Sequence, residues 1–209
     1  MNQVENKDEK RLVNKAKNGN IAAFEELITV HEVKIYNIAY RMFHNEEDAK
    51  DLSQEIFIKV FENIGKFKGN SSFSTWLYRI ATNTCIDELR RRKGKETYSI
   101  DAEVETDEGN MKREYSDLKP NPEEMAINKE VSIQIQNAMD HLSEEHKTAI
   151  ILRDLQGLEY NEISEILECS LGTVKSRISR ARRQLIELLV KQEPFEYKHR
   201  LKNRKEGSK

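Results

Sequence analysis

The chain has 209 residues, with 35 lysines and arginines against 37 aspartates and glutamates, so its formal net charge is −2. This length allows one large domain or two small ones, and a near-neutral chain carries no overall sign of a polyanionic partner. Only 8 glycines and 3 prolines are present, which favours helices over sandwiches and barrels, because those folds need many turns.

The residue pattern excludes further classes of protein. No stretch approaches the ~18 apolar residues of a membrane span, and the polar residues 1–10 are not a signal peptide, so no membrane insertion is expected. Cys85 and Cys169 stand alone, which predicts a reduced, cytoplasmic setting. There is no CxxC pair, and His141 and His146 are five residues apart, so neither a metal nor a cofactor is expected.

A first helical domain is predicted over residues 1–93. Apolar residues recur at helical spacing from Phe24 to Met42, which indicates its first helical stretch. A second helix is expected to begin after Asn45, a good N-cap, and to end at Gly65. A polar loop then leads to a third helix over about residues 74–93.

The following residues have a different composition. Residues 94–126 carry 10 acidic and 4 basic side chains and few large aliphatic ones. Such a segment buries too little apolar surface to offset the entropy lost on ordering, so we predict a flexible acidic linker over residues 94–125. The predicted fold class is all-α, with two small helical domains joined by this linker, the second domain containing a helix-turn-helix.

The second domain, residues 126–190, is predicted to end in two helices over residues 160–167 and 171–190, separated by a short turn. Residues 171–185 include five basic side chains and no acidic one. Arginine and lysine can pair with guanine edges, and serine with several base edges, which predicts a face that reads duplex DNA. Its candidate residues are Thr173, Lys175, Ser176, Arg177, Ser179, Arg180 and Arg183. The alternative is a merely solvated basic helix.

A second candidate nucleic-acid segment precedes the linker. Residues 67–79 mix aromatic, basic and small polar side chains, and residues 90–93 are all basic. Aromatic rings stack unpaired bases and basic groups neutralise phosphate, so single-stranded nucleic acid is a candidate ligand. The alternative is that Phe73, Trp76 and Leu77 belong to the core, and taken alone the segment favours that packing interpretation.

Acidic residues share one face of the predicted second helix, namely Asp48, Asp51 and Glu55. Carboxylates at this spacing occur in di-iron bundles, but those sites also need a Glu-x-x-His motif on other helices, and this chain has none. Two interpretations remain open: a docking face for a basic partner helix, or a solvated helix start favoured by the helix dipole.

Three motifs occur in order along the chain. They are Asp51-Leu-Ser-Gln-Glu-Ile-Phe-Ile-Lys59, the segment 67–83 with Thr75-Trp-Leu-Tyr-Arg-Ile-Ala81, and Gly172-Thr-Val-Lys-Ser-Arg177. With the acidic linker, they resemble the extracytoplasmic-function (ECF) subfamily of the bacterial sigma-70 family. The resemblance covers about residues 20–189.

The resemblance implies a role for each domain. Residues 1–93 correspond to sigma region 2, which binds the clamp helices of the largest polymerase subunit and captures the melted −10 strand. Residues 126–190 correspond to region 4, which reads the −35 duplex and contacts the polymerase flap. Positions that match the core-polymerase contact are Asp48, Asp51, Gln54 and Phe57. Positions that match the −10 single-strand site are Phe67, Lys68, Gly69, Asn70, Ser71, Ser72, Trp76, Tyr78 and Asn83.

The resemblance implies a non-enzymatic promoter-specificity subunit of RNA polymerase in the cytoplasm, associated with the nucleoid when bound to polymerase and controlled by a membrane-bound anti-sigma factor. The linker is implied to thread polymerase channels, or else to be a plain tether. The basic tail, residues 191–209, extends past the usual family end and is expected to be disordered. The rival functions are a duplex-only helix-turn-helix regulator and a nuclease or transposase, although one helix supplies a poor carboxylate cage for magnesium.

Overall fold

The computed structural model describes residues 3–96 and 122–192. Every secondary-structure element in these two ranges is helical, and they form two helical regions, so the predicted all-α class is confirmed. Most of the predicted linker and nearly all of the basic tail lie outside the described residues. Helix extends into both ends of the predicted linker, because one helix continues through Glu96 and the next begins at Pro122. Proline suits a first helical position, where no N–H is needed.

The first domain is built from helices α1 to α5. Their bounds are Gln3–Lys17, Ile21–Thr29, Glu32–Phe43, Glu46–Asn63 and Phe73–Glu96, with a single 3-10 turn at Ile64–Lys66 before α5. The sequence does not predict α1, because its apolar side chains are concentrated in the last two turns. There Val13 and Ala16 are buried. The first predicted helical stretch is two helices, α2 and α3.

Local capping explains where several of these helices begin and end. The Asn45 side chain accepts a hydrogen bond from the backbone N–H of Asp48 at 3.0 Å, as expected for an N-cap of α4. His44 has a positive φ of 57°, which ends α3 and turns the chain directly into α4. α4 itself ends at Asn63, two residues before the predicted stop at Gly65.

The second domain contains α6, Pro122–Asp140; α7, Glu144–Ile150, which continues as a π-helical turn at Ile151–Leu155; α8, Tyr160–Ile166; and α9, Leu171–Gln192. A short turn joins α8 to α9. Glu168 in that turn has a φ of 50°, and the Ser170 hydroxyl accepts from the N–H of Thr173 at 3.1 Å to cap α9. α8 and α9 therefore form the predicted helix-turn-helix.

The two domains contact each other, and their buried apolar side chains form one continuous cluster. At the contact, Lys147 of α7 is only 5% exposed, and its ammonium donates to the Met42 carbonyl at 2.8 Å and to the Asp140 carboxylate at 2.7 Å. Met42 lies in the last turn of α3, whose carbonyls lack partners within the helix and carry partial negative charge. The buried cation therefore joins α7 to the C-terminal end of α3.

Asp140 also contacts His44, whose Nδ1 lies 3.1 Å from a carboxylate oxygen. Burial favours a raised pKa at Asp140, but hydrogen bonds from His44 and Lys147 outweigh it and lower the pKa to about 2. The interface thus pairs the buried ammonium of Lys147 with a carboxylate that stays ionised at neutral pH.

A buried histidine makes the stability of the first domain depend on pH. His31 is 9% exposed, and its ring lies 5.9 Å from the rings of Phe73 and Tyr78. Burial, with a smaller contribution from the charge of Lys34, lowers the pKa of His31 to about 4. The unfolded chain, with a pKa near 6.5, therefore binds more protons between these two values, and folding loses stability as the pH falls through that window.

We expect this histidine to remove about 2 kcal/mol from the free energy of unfolding between about pH 7 and pH 5. His31→Gln should make the free energy of unfolding depend less on pH over this range, which urea unfolding at each pH would measure. The paired carboxyls of Glu88 and Asp140, each with a pKa of about 2, lose their contribution only at lower pH, below their unfolded values. Parallel profiles for the wild type and the variant over this window would contradict the assignment.

Candidate nucleic-acid interface

The loop between the 3-10 turn and α5 is held in place by an aromatic cluster. The Phe67 ring lies 6.0 Å from the ring of Phe73 and 5.2 Å from that of Trp76. Phe73 and Leu77 are fully buried, as the packing interpretation expects, whereas Trp76 is half-buried. α5 therefore anchors the segment through two core residues and leaves part of the indole available.

Local hydrogen bonds shape the rest of this loop. The Ser72 hydroxyl accepts from the N–H of Thr75 at 3.0 Å and so caps α5. Gly69 has a φ of 74°, which permits the sharp turn that leaves Lys68 and Asn70 exposed. The Lys17 ammonium of α1 donates to the Phe67 carbonyl and lies 5.6 Å from the centre of its ring.

An open cavity of about 440 Å³ lies beside the loop. Its walls combine aromatic, basic and small polar side chains with one acidic residue: Phe67, Trp76, Lys66, Lys68, Asn70, Ser71, Arg79 and Glu165. Aromatic faces with cations and amides suit an unpaired base and its phosphate. Five predicted −10 residues therefore meet at one cavity, with Gly69 and Ser72 in the same loop.

Two predicted −10 residues lie elsewhere on α5. Tyr78 is 3% exposed and packs edge-on against His31, and burial, with the charge of Glu162, raises its pKa to about 12. Asn83 is exposed about two turns after Trp76 along α5. Arg79, in contrast, is a cavity residue that the sequence prediction omits, although its position three residues after Trp76 places it on the same helix face.

The predicted DNA-reading face is largely exposed on α9. Lys175, Ser179, Arg180 and Arg183 are all exposed, on the side opposite the buried Val174, Ile178 and Ala181. Thr173 and Ser176 are partly buried in the first turns of the helix, where the Ser176 hydroxyl donates to the Thr173 carbonyl at 2.9 Å.

Arg177 differs from the other candidates on α9. Its guanidinium lies 2.8 Å from the Glu145 carboxylate of α7 and 3.7 Å from the Cys169 thiol. It therefore contacts neighbouring elements of its own domain in this arrangement. Its proposed role at DNA stays a prediction.

The acidic face of α4 is partly used within the domain. The Asp48 carboxylate accepts hydrogen bonds from the two terminal nitrogens of the Arg92 guanidinium, at 2.7 and 2.8 Å, and this hydrogen bonding lowers the pKa of its carboxyl despite partial burial. Asp51 and Gln54 are exposed, and Phe57 is half-buried. The exposed part of the predicted docking face is thus centred on Asp51 and Gln54. Arg92, from the basic end of α5, contacts the same helix through Asp48.

Within residues 3–96 and 122–192, no group of three or more histidine, cysteine, aspartate or glutamate side chains is placed to hold a metal ion. In the same part of the chain, no helix is long and apolar enough to cross a membrane.

Comparison with known proteins assigns the family. The family model described as Sigma-70 region 2 matches residues 27–95, and that described as Sigma-70, region 4 matches residues 132–185. The ECF RNA polymerase sigma factor SigW of Bacillus subtilis (strain 168) is 40% identical over 179 residues, which cover 84% of this chain and 94% of that protein. The chain is an ECF sigma factor of the sigma-70 family.

Further relatives agree with this assignment. The RNA polymerase sigma-H factor of Pseudomonas aeruginosa is 34% identical over 185 residues, covering 87% of this sigma factor and 93% of its own chain. The ECF RNA polymerase sigma-E factor of Escherichia coli (strain K12) is 37% identical over 175 residues, covering 82% and 88%. The protein is therefore a transcription initiation factor and not an enzyme.

Solved structures show the same fold. CnrH, in complex with the cytosolic domain of CnrY, has a TM-score of 0.65 at 23% identity, covering 89% of this sigma factor and 99% of that chain. The sigma factor RpoE of Bartonella quintana, in complex with the anti-sigma factor NepR, has a TM-score of 0.62 at 25% identity, covering 81% and 98%. In this sigma factor, the −10 candidates lie in region 2 and the −35 candidates in region 4.

Proposed function

We propose that this sigma factor directs promoter-specific initiation by capturing a melted −10 strand in the cavity beside Trp76 and reading a −35 duplex with α9. The cavity carries the proposal, because it joins a half-buried indole to the basic and amide side chains of one loop. Flipping a base out of the stack costs a few kcal/mol, and a pocket that stacks it offsets that cost.

The α9 face supports the second half of the proposal. A helix-turn-helix places its second helix in the major groove, and the exposed Lys175, Ser179 and Arg180 are residue types that read base edges there. The exposed Asp51 and Gln54 of α4 are proposed to contact the clamp helices of core polymerase. Region 4 is proposed to contact the flap.

Control by an anti-sigma factor, membrane-bound in this proposal, is supported by the two structural relatives. RpoE of Bartonella quintana is described in complex with the anti-sigma factor NepR, and CnrH with the cytosolic domain of CnrY. A partner of this kind would hold the sigma factor away from polymerase until it is released. Pull-down with candidate membrane proteins from the source genome, followed by competition with core polymerase, tests this part.

Run-off transcription with purified core polymerase and a promoter panel tests the main proposal. We expect specific transcripts only when the sigma factor is present, and weak DNA binding by the sigma factor alone. Tight DNA binding without core, combined with no specific initiation on any promoter of the panel, would support a duplex-only regulator instead.

A further inference from the structure

Arg79 of α5 belongs to the −10 cavity and is also held by region 4. Its Nη2 donates to the Glu165 backbone carbonyl at 2.8 Å, and its Nη1 lies 2.8 Å from the Glu168 carboxylate. Glu165 lies in the last turn of α8, where carbonyls lack partners within the helix and carry partial negative charge. Arg79 therefore caps the C-terminal end of the first helix of the helix-turn-helix.

This arrangement leaves part of the guanidinium unused. The Nε of Arg79 is buried and has no hydrogen-bond partner among the described residues. A buried donor without a partner costs free energy. The Glu165 carbonyl and the Glu168 carboxylate each contact one terminal nitrogen of Arg79, whereas a phosphate can accept two N–H groups of one guanidinium at once, in a fork geometry. A phosphate in the cavity could therefore satisfy the Nε donor that the contacts with region 4 leave without a partner.

Acidic residues of region 4 occupy the approach to this cavity. Glu165 forms part of its wall, and Glu168 pairs with Arg79 at its edge. The same charge pattern continues along α5, where Arg90 and Lys93 lie 3.1 and 3.2 Å from the Glu144 carboxylate of α7. A phosphate entering the cavity would meet the like charge of Glu165 and Glu168. It would also compete with the Glu165 carbonyl and the Glu168 carboxylate for Arg79.

We propose that the C-terminal end of α8 and the turn after it compete with the promoter strand for Arg79, so that region 4 withholds Arg79 from the −10 cavity of the free sigma factor until Arg79 is released. Release changes the partners of Arg79 from Glu165 and Glu168 to a phosphate of the captured strand. This inference rests on the proposed function of the cavity, and it adds regulation within the chain itself.

The strength of the contact suits such a switch. The Glu168 side chain is 66% exposed and that of Arg79 is 30% exposed. Exposed ion pairs contribute little to stability, so the contact biases the equilibrium and remains reversible. A polymerase-bound strand, which brings its phosphate to high local concentration, can therefore displace Glu165 and Glu168 from Arg79.

A double-mutant cycle on the full-length sigma factor tests the proposal. Trp76 is its only tryptophan, so quenching of its fluorescence by an oligothymidylate of roughly 12 nucleotides reports occupancy of the cavity. Glu168→Gln should tighten binding about two- to fivefold, in keeping with the loss of one exposed ion pair. Arg79→Gln should weaken binding, and Glu168→Gln should then have no further effect in that background.

Glu26→Gln is the matched control, since it removes the same charge from an exposed position on α2 and should leave affinity unchanged. The proposal is overturned if Glu168→Gln does not raise the affinity for the oligothymidylate, or raises it only as much as Glu26→Gln does. It is also overturned if Glu168→Gln still raises the affinity in the Arg79→Gln background. Any of these results would leave the proposed function standing, because run-off transcription tests it separately. Failure of the wild type in run-off transcription, with the cycle intact, would overturn the proposed function instead.

Discussion

Lys147→Ala is expected to weaken the contact between regions 2 and 4 by about 2–3 kcal/mol, below the upper range for a buried ion pair because Asp140 is half-exposed. Lys147 is 5% exposed, and its ammonium donates to the Met42 carbonyl at the end of α3. Its removal leaves that carbonyl and Asp140 without their shared cation. Burial lowers the pKa of Lys147, and the Asp140 carboxylate partly opposes that effect, so the residue already bears a desolvation cost that these partners offset.

Urea unfolding followed by two probes measures this effect. Trp76 fluorescence reports region 2, and far-ultraviolet circular dichroism reports the helices of both regions. We expect coincident transitions in the wild type and separated transitions in the variant, since loss of the contact uncouples the two regions. Lys147→Met keeps most of the aliphatic volume and should behave like Lys147→Ala, because it still provides no donor for the Met42 carbonyl.

Lys59→Ala is the control for this experiment. Lys59 also pairs with a carboxylate, that of Glu55 at 2.7 Å, but on the exposed surface of a single helix. Such a pair contributes about 0.3–0.5 kcal/mol. Equal effects of the Lys59 and Lys147 substitutions, or coincident transitions in both, would show that Lys147 does not hold the regions together.

Arg180→Ala is expected to relax base choice in the −35 duplex by about 1–3 kcal/mol at one base pair, since a single side chain that reads a base edge contributes in that range. Arg180 is exposed on α9, opposite the side that packs into region 4. Core-polymerase binding should be unchanged. Competition between promoter variants for the holoenzyme measures the base preference, and binding of labelled core measures the second quantity.

Asp51→Ala combined with Gln54→Ala should give the reverse result, with weaker core binding and unchanged base preference. Arg182→Ala is the matched arginine control on α9, because its guanidinium bonds to Asp154 within region 4, with the Nε 3.0 Å from the carboxylate. It should leave base preference unchanged. Equal loss of core binding and base choice in the Arg180 variant would contradict the assignment of α9 to DNA reading.

Local sequence patterns are sufficient to predict most of the helices and the helix-turn-helix. Helical periodicity and caps depend on residues a few positions apart, so Asn45 predicts the start of α4 and the 171–185 segment predicts a basic exposed face on α9. The family resemblance adds the cavity residues from Phe67 to Trp76. α1 is not predicted, because few of its side chains are apolar.

The long-range partners of the charged residues are decided by the tertiary structure alone. Arg92 bonds to Asp48, 44 residues away, and Arg79 bonds to Glu165, 86 residues away. Lys147 is one cation among many in the sequence, yet it is buried against Met42, 105 residues away. No local period encodes such pairs, since they depend on how α5 and α7 pack on other helices. The sequence by itself determines which surfaces of this ECF sigma factor carry charge, and the packing of regions 2 and 4 decides which charges face each other.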